Sequence, residues 1–236
     1  MPISVESLLG LAMMQSVPMP TPILLIAREP LVAGGENAYR EIEEETARLS
    51  AKLGCPHPYL AMESLTGPKE IWWFNGFDSP EDQRQVAEAY EKNAPFSAAL
   101  KKNSDRKGPV TGKVIEVVAQ YRPDLTSGVP WIPGHGRFLV IGVTKDRPSS
   151  AGTVFQAADG TFFVFSPART RKQADRLAAS IPVQQSSWYG PRSVFRQRAW
   201  SPPIRDSGEP IRDNGAWERR RPAWLKEASG SSANKK

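Results

Sequence analysis

Four polar side chains stand within stretches of sequence that are otherwise apolar and strand-like. Each falls on a predicted strand, and they are Glu63, Asn75, Glu116 and Gln120. Burying a carboxylate is costly unless it is paired, so these residues would lie at the mouth of a covered sheet, bond to Arg28 or a tyrosine, or line a pocket. A carboxyl group with a raised pKa in an apolar pocket suits proton abstraction from a small organic substrate. Exposed strand-end charges and structural ion pairs are the alternative interpretation.

Aromatic and titratable side chains could complete such a pocket. Trp72 and Trp73 point to opposite faces of one predicted strand, and the interior one could stack on a flat ligand or simply pack in the core. His135 follows Trp131 in a loop rich in glycine and proline, which would serve as a lid, a pocket rim or a plain linker. The candidate ligand-pocket residues are Glu63, Trp73, Asn75, Glu116 and His135; no catalytic residue is assigned.

The sequence contains too few ligands for a metal site and no complete nucleotide-binding motif. Residues 108–114 resemble a phosphate loop, but three residues instead of four separate the glycines, and Val114 stands where Ser or Thr would bind magnesium. Cys55 and His57 supply only two of the three or four ligands that zinc needs. The simplest interpretation of Cys55 is a small residue in a loop rather than an activated nucleophile. We therefore expect no metal and no cofactor.

Composition excludes several classes of protein. The 236 residues are 39% hydrophobic and 24% charged, which is ordinary for a globular chain. No stretch approaches the roughly 20 apolar residues of a membrane helix, and a single cysteine cannot form an internal disulfide. The early apolar run at residues 8–14 lacks the positive start of a signal peptide. We expect a soluble cytoplasmic protein with a disordered leader over residues 1–21.

The net charge of +6 is concentrated at the C-terminal end. Residues 186–236 hold eleven Lys or Arg and five Asp or Glu, and the rest of the chain is balanced. The body therefore gives no electrostatic reason to bind nucleic acid, and we expect no such partner. Four tryptophans and the run Arg219-Arg220-Arg221 lie in this basic region. The region would pack on the body, recruit a partner, or contact single-stranded nucleic acid, although no recognisable RNA-binding motif accompanies it.

The elements that must position these residues form a regular series. Residues 23–28 predict a strand, and apolar positions spaced 3 and 4 apart from Tyr39 to Leu53 predict a helix with its acidic run, Glu41 to Glu45, mostly in solvent. A hairpin over residues 59–77 and a helix capped by Ser79 follow. Residues 103–109 are predicted as a charged loop and residues 114–121 as a strand. The order is β-α-β-β-α-β, the ferredoxin-like motif.

The second half repeats this order without the first helix. We predict strands at residues 137–144, 153–155, 162–165 and 194–198, with a helix capped by Thr170 before the last of them. The fold class is α+β, with two ferredoxin-like units forming an α/β-barrel-like pseudo-dimer. The predicted divisions are a leader at 1–21, a first unit at 22–122, a linker at 123–136, a reduced second unit at 137–200 and a partly disordered basic tail at 201–236.

The first unit resembles a known superfamily. The residues that carry the resemblance are the run Ile26 to Pro30, Gly35, the acidic helix, the run Glu70 to Phe74, and Ser79. Over about residues 22–121 they are similar to the dimeric α/β-barrel proteins, which include NIPSNAP-like and antibiotic-biosynthesis-monooxygenase-like members. The resemblance implies two ferredoxin-like sheets paired into a barrel, between chains or within one duplicated chain. It implies little about activity.

Two classes of function stay open. The first is a protein that binds or converts a small organic molecule in the barrel lumen without a metal or nucleotide cofactor. The second is a non-enzymatic interaction protein whose basic C-terminal tail binds a partner. A homodimer is expected, and no membrane association. Whether the chain is an enzyme is not decided by its residues.

Overall fold

A ferredoxin-like unit forms the first half of the chain. The computed structural model describes residues 19–55, 57, 59–128, 130–133, 137–149, 152–180 and 193–197. The elements of this half are β1 (Ile23–Pro30), α1 (Glu36–Leu53), β2 (Leu60–Ser64), β3 (Glu70–Phe77), α2 (Pro80–Lys92), α3 (Ala94–Lys107), the 3₁₀ turn Gly108–Val110 and β4 (Ile115–Tyr121). This order confirms the predicted β-α-β-β-α-β series, with one helix more than expected.

The extra helix corrects the predicted loop over residues 103–109. Helix α3 begins directly after α2 and continues to Lys107. Pro95 lies in its first turn, where a missing N–H costs nothing, and Asn93 caps it by accepting a hydrogen bond from the Phe96 N–H at 3.3 Å. The proline therefore lies at the start of a separate helix, α3.

The second half has the predicted β-β-β-α-β order. Its elements are β5 (Phe138–Thr144), β6 (Thr153–Ala157), β7 (Phe162–Ala168), α4 (Arg171–Ser180) and β8 (Ser193–Gln197). The Thr170 hydroxyl caps α4 by accepting from the Gln173 N–H at 3.2 Å, as Ser79 caps α2 by accepting from the Asp82 N–H at 3.0 Å. The two hairpin–helix units of the sequence therefore occupy equivalent places in the two halves.

The two units close one eight-stranded barrel within the single chain. The strand order is β1-β3-β2-β8-β5-β7-β6-β4, and β4 returns to β1. Two short seams join the units: residues 62–64 of β2 pair with residues 195–197 of β8, and residues 119–121 of β4 pair with residues 155–157 of β6. The chain is thus an α+β barrel built from two ferredoxin-like halves. Among its described helices, none combines the length and apolarity that crossing a membrane requires.

Apolar side chains fill the interior of the barrel. Alternate residues of every strand point inward, and the inward set forms one continuous cluster that includes Trp72, Phe74, Phe155, Phe163 and Phe165. Ring centroids within it lie 5.6–6.5 Å apart. Trp131, from the segment between the halves, is 1% exposed. Its ring stacks on Phe165 at 4.8 Å and meets Phe74 edge-on at 5.5 Å. The loop predicted as a lid or linker therefore contributes a core residue.

Candidate functional site

The predicted pocket residues do not line the barrel lumen. Because Trp72 and Phe74 point inward, Trp73 and Asn75 point outward, and Trp73 packs beside Tyr39 under the helices. Glu63 follows the inward Met62, and Glu116 is exposed on the outer face of β4. The prediction that these side chains occupy the lumen was wrong by one residue of strand register, and His135 lies outside the described residues.

The filled interior also corrects the predicted place of a ligand. The inward side chains of all eight strands meet one another, and Leu24, Phe155, Phe163 and Phe165 have no exposed surface. A barrel packed in this way has a solid core. The lumen lined by the described residues therefore leaves no space for a small molecule.

A cavity opens in the barrel wall where β4 extends beyond the end of its partner β6. Strand β4 pairs with β1 from Ile115 to Gln120, but with β6 only over residues 119–121. Strand β6 ends at Ala157, and the turn to β7 leaves a cavity of about 370 Å³ beside the first half of β4. Its lining residues are Glu116, Val117, Val118, Ala157, Ala158, Asp159, Thr161 and Phe163. Of the four predicted pocket residues that the structure describes, Glu116 is the one brought to this cavity.

Backbone groups of β4 face this cavity. The Arg122 N–H donates to the Val154 carbonyl of β6 at 2.8 Å, whereas the Tyr121 N–H donates to Pro22 on the opposite side. Since backbone direction alternates along a strand, the N–H and C=O groups of Glu116 and Val118 point to the side on which β6 has already ended. The wall of the cavity therefore offers hydrogen-bonding groups as well as side chains.

The rim of the cavity carries two carboxylates. Hydrogen bonds from Lys145 (Nζ to Oδ2, 2.8 Å) and from Thr161 (N to Oδ1, 2.9 Å) hold the pKa of Asp159 down, to about 2. Glu116 adds an exposed carboxylate to the same rim. Phe163 lies beneath the cavity, is itself fully buried and contacts Trp72 edge-on, with centroids 6.5 Å apart. The cavity is thus bordered by the Glu116 carboxylate and by the Asp159–Lys145 ion pair.

A buried ion pair lies at the same end of the barrel. Arg28 and Glu70 join in a forked contact, with Nη2 2.7 Å from Oε1 and Nε 3.2 Å from Oε2. The Trp72 indole N–H donates to the same carboxylate at 2.7 Å, and the guanidinium lies 4.7 Å from the Trp72 ring centroid. In β4, Ile115 is the residue opposite Arg28, directly before the cavity-lining Glu116. Arg28 was predicted as a possible partner of Glu63, Asn75 or Glu116, whereas the carboxylate that it pairs with is that of Glu70.

A second polar cluster lies outside the barrel, between the sheet and helices α1 and α3. Glu29 accepts hydrogen bonds from the Tyr39 hydroxyl and from the Trp73 indole N–H, the latter at 3.1 Å. Lys107 Nζ lies 3.0 Å from Glu29 Oε1 and 2.8 Å from Glu43 Oε1. Five side chains from β1, β3, α1 and α3 are thus joined by hydrogen bonds and ion pairs.

Burial governs protonation in this cluster. Desolvation raises the pKa of Tyr39 far above its ordinary value, and the nearby Glu43 and Glu29 carboxylates add to the shift. Desolvation also raises the pKa of Glu43, although Lys107 opposes it. Burial alone would lower the pKa of Lys107, but the two carboxylates reverse this and hold it above its usual range. The cluster therefore keeps Tyr39 neutral and Lys107 charged, and it functions as a clamp between helices and sheet.

Sequence analysis missed this cluster for two reasons. Glu43 belongs to an acidic run predicted to lie in solvent, yet it is only 3% exposed because it faces the sheet. Lys107 was placed in a loop, whereas it ends helix α3. The helical spacing of Tyr39 and Glu43, four residues apart, was the available signal, since it places both on one face.

Cys55 has the environment of an unreactive thiol. Burial raises its pKa, despite hydrogen bonding to Tyr90 and to the His57 backbone. Its Sγ donates to the His57 carbonyl at 3.1 Å, and the His57 imidazole instead stacks on Phe77 with centroids 4.7 Å apart. The histidine is therefore turned away from activating the thiol. Among the described residues, no group of three or more His, Cys, Asp or Glu is placed to hold a metal.

Comparisons with known proteins add similarities of shape. No protein-family model matches the chain, and a search of curated proteins finds no match either. Three solved structures, all named as putative, resemble the fold. A monooxygenase from Fusobacterium nucleatum has a TM-score of 0.49 and 10% identity, covering 76% of this chain and 94% of its own.

The other two structures are similar at the same low level of identity. A monooxygenase from Lactobacillus acidophilus has a TM-score of 0.36 and 10% identity, covering 75% of this chain and 93% of its own. A chlorite dismutase has a TM-score of 0.44 and 8% identity, covering 78% and 97%. Identities of this size assign neither a family nor an activity to this chain.

Proposed function

We propose that the protein binds a small organic molecule in the wall cavity between β4 and the β6–β7 turn. The observation that carries the proposal is this cavity, which is open to solvent and whose volume of about 370 Å³ lies near the lower end of the roughly 300–1,000 Å³ of ligand sites. Val117 and Val118 offer an apolar surface, and the edge of β4 offers backbone hydrogen bonds. The proposal moves the predicted ligand from the lumen to the wall and retains Glu116 as a site residue.

The acidic rim indicates the charge of the ligand. Glu116 and Asp159 are both carboxylates, and Lys145 already neutralises Asp159. A ligand with a flat apolar body and a cationic or hydrogen-bond-donating group would complement this rim. A single carboxylate about 5 Å from a ligand charge in water contributes about 1 kcal/mol, or roughly fivefold in affinity. The proposal is for binding; no reaction is assigned.

Displacement of a fluorescent probe tests the site. N-phenyl-1-naphthylamine would be titrated into the full-length protein and then competed with 1-naphthylmethylamine or 1-naphthoic acid at pH 7. We expect the amine to compete about fivefold better than the acid, and Glu116→Gln to remove this preference. Ala158→Trp, at the exposed mouth of the cavity, would weaken probe binding at least tenfold, while Ala51→Trp on the exposed face of α1 would leave it unchanged. Equal binding by both tryptophan variants would contradict the proposal.

We also propose that the protein is a homodimer, with contact through the outer face of β4. Val114 and Val118 on this face are 41% and 44% exposed. Two apolar side chains on one uncovered strand face favour a self-complementary contact between copies. Native mass spectrometry of the full-length protein would give the subunit count and the mass of any co-purified ligand. A monomer that stays monomeric at every concentration would refute the dimer without affecting the cavity.

A further inference from the structure

The backbone of β4 has an open edge in the wall cavity. Strand β4 pairs with β1 along residues 115–120, but β6 covers its other edge only along residues 119–121. The N–H and C=O groups of Glu116 and Val118 point to this second edge. Within the described part of the chain, these four groups form no hydrogen bond. The edge therefore holds two donors and two acceptors that a ligand in the cavity can reach.

The turn after β6 leaves this edge uncovered. The Ala157 N–H donates to the Thr161 carbonyl at 2.8 Å, and the Gly160 N–H donates to the Ala157 carbonyl at 3.0 Å. These two bonds fold the chain back into β7 directly after Ala157. Lys145 Nζ donates to the Asp159 carbonyl at 2.9 Å and so ties the turn to the residue that follows β5. The gap beside β4 is thus maintained by the hydrogen bonds of the turn itself.

The open edge has room for a short strand. Residues 115–118 pair with β1 and lack a partner on the β6 side. At about 3.4 Å per residue, these four residues span about 14 Å. The β4 strand of a second copy cannot lie here, because its own β6 would meet the start of this β4. An extended peptide of about four residues can instead continue the line of β6, antiparallel to β4.

The side chains beside the edge indicate which peptide would fit. Continuing the β4–β6 register places successive peptide residues opposite Val118, Val117, Glu116 and Ile115. The residue opposite Glu116 points to the same outer face, so a lysine or arginine there would pair with the carboxylate. An apolar residue opposite Val118 would cover a valine that is 44% exposed. The residue between these two points inward, above the buried Phe163.

We propose that β4 binds an extended peptide as an added strand, and that the peptide has the pattern apolar–apolar–basic. This assignment rests on the proposed function, because the peptide is the class of organic molecule that the wall cavity takes. Two peptide residues form four backbone hydrogen bonds with Glu116 and Val118, which supply affinity, and the basic side chain supplies selectivity. The Asp159 carboxylate does not compete for this side chain, because Lys145 pairs with it.

Fluorescence anisotropy tests the assignment on the full-length protein. The probe is the peptide acetyl-Val-Leu-Lys-Thr-Gly-Gly with fluorescein at its C-terminus, in which the valine lies opposite Val118 and the lysine opposite Glu116. We expect a Kd below about 1 mM at pH 7. Replacing the peptide lysine by uncharged norleucine should weaken binding about fivefold. Glu116→Gln should abolish this difference, whereas the control Glu44→Gln, at an exposed position of α1, should preserve it.

N-methylation distinguishes an added strand from a peptide held by its side chains. The N–H groups of the peptide valine and lysine face β4, whereas those of its leucine and threonine face away. We expect N-methylation of valine and lysine together to weaken binding by about tenfold or more, because two donors are lost and the methyl groups block the approach. N-methylation of leucine and threonine should change binding by less than about threefold. Equal losses for the two modified peptides would overturn the assignment.

The naphthylamine probe of the previous section separates the two possible failures. A protein that binds N-phenyl-1-naphthylamine but not the peptide would retain the wall cavity as a ligand site and refute the added strand. A protein that binds neither would refute both. Peptide binding that Ala158→Trp leaves unchanged would place the peptide outside the cavity and would also overturn the assignment.

Discussion

Replacing Glu70 alone should destabilise the barrel more than replacing both members of the Arg28–Glu70 ion pair. The side chains of Arg28 and Glu70 are only 8% and 9% exposed. Glu70→Leu would leave the guanidinium buried without its anion and leave the Trp72 indole N–H without its carboxylate acceptor. Breaking a buried pair costs about 3–5 kcal/mol, and the lost indole hydrogen bond adds about 1 kcal/mol. We expect a total loss of about 4–6 kcal/mol in the free energy of unfolding.

The double variant Arg28→Met/Glu70→Leu isolates the cause. Replacing both charges by apolar side chains of similar size removes the desolvation penalty together with the attraction, so its stability should lie within about 2 kcal/mol of the parent. Arg28→Met alone should cost about 3 kcal/mol, because Glu70 then stays buried without a cation. The interaction energy between the two sites would exceed about 3 kcal/mol.

Urea denaturation at pH 7, followed by circular dichroism, measures these changes as shifts of the midpoint. The exposed pair Arg84–Glu81 on α2 serves as a control, since its side chains are 60% and 55% exposed. Removing Glu81 should shift the midpoint very little. If Glu70→Leu costs no more than the exposed control, or if the double variant is as unstable as the sum of the singles, the account of a buried, mutually dependent pair is refuted.

Three further changes probe other parts of the molecule. Lys107→Met leaves Glu29 and Glu43 buried without a cation. Since burial raises the pKa of Glu43, its contribution to stability is favourable at low pH and is lost as the pH rises through that pKa. The variant should therefore lose about 3 kcal/mol of unfolding free energy at pH 8 and less at pH 5, as measured by urea denaturation. An equal loss at the two pH values would contradict this. Trp131→Ala should cost about 3–5 kcal/mol in the same assay, and a loss under 1 kcal/mol would mean that the ring is not part of the core. Cys55 should react with iodoacetamide at pH 8 at least tenfold more slowly in the folded protein than in urea, as judged by mass spectrometry, and equal rates would show an accessible thiolate.

Sequence patterns predicted the elements well because those patterns are local. Apolar spacing gave the order of strands and helices in both halves, and the Ser79 and Thr170 caps marked two helix starts. Strand register was not predictable in the same way. Trp72 and Trp73 are equally apolar, so alternation could not show which one faces the lumen. The division of the chain into leader, units, linker and tail stays a prediction, as does the NIPSNAP-like resemblance.

The candidate site depended on contacts between distant segments. The cavity exists because β6 stops at Ala157 while β4 continues, and neither strand shows this difference in its own composition. The pairing of Arg28 with Glu70 crosses two strands, and the pairing of Lys107 with Glu43 crosses two helices. Side chains of these types are ordinary on exposed surfaces, so only the fold identifies them as buried partners.

The position of β8 has a consequence for how this protein is made. The last strand enters between β2 of the first unit and β5 of its own unit, and it joins Met62 to Gln197, more than 130 positions away. Until β8 is synthesised, both neighbours present unpaired edges, which are templates for aggregation. Each half is therefore an incomplete folding unit, and the barrel can reach its native state only after β8 has been synthesised. Premature stop codons before residue 193 should therefore yield insoluble chains.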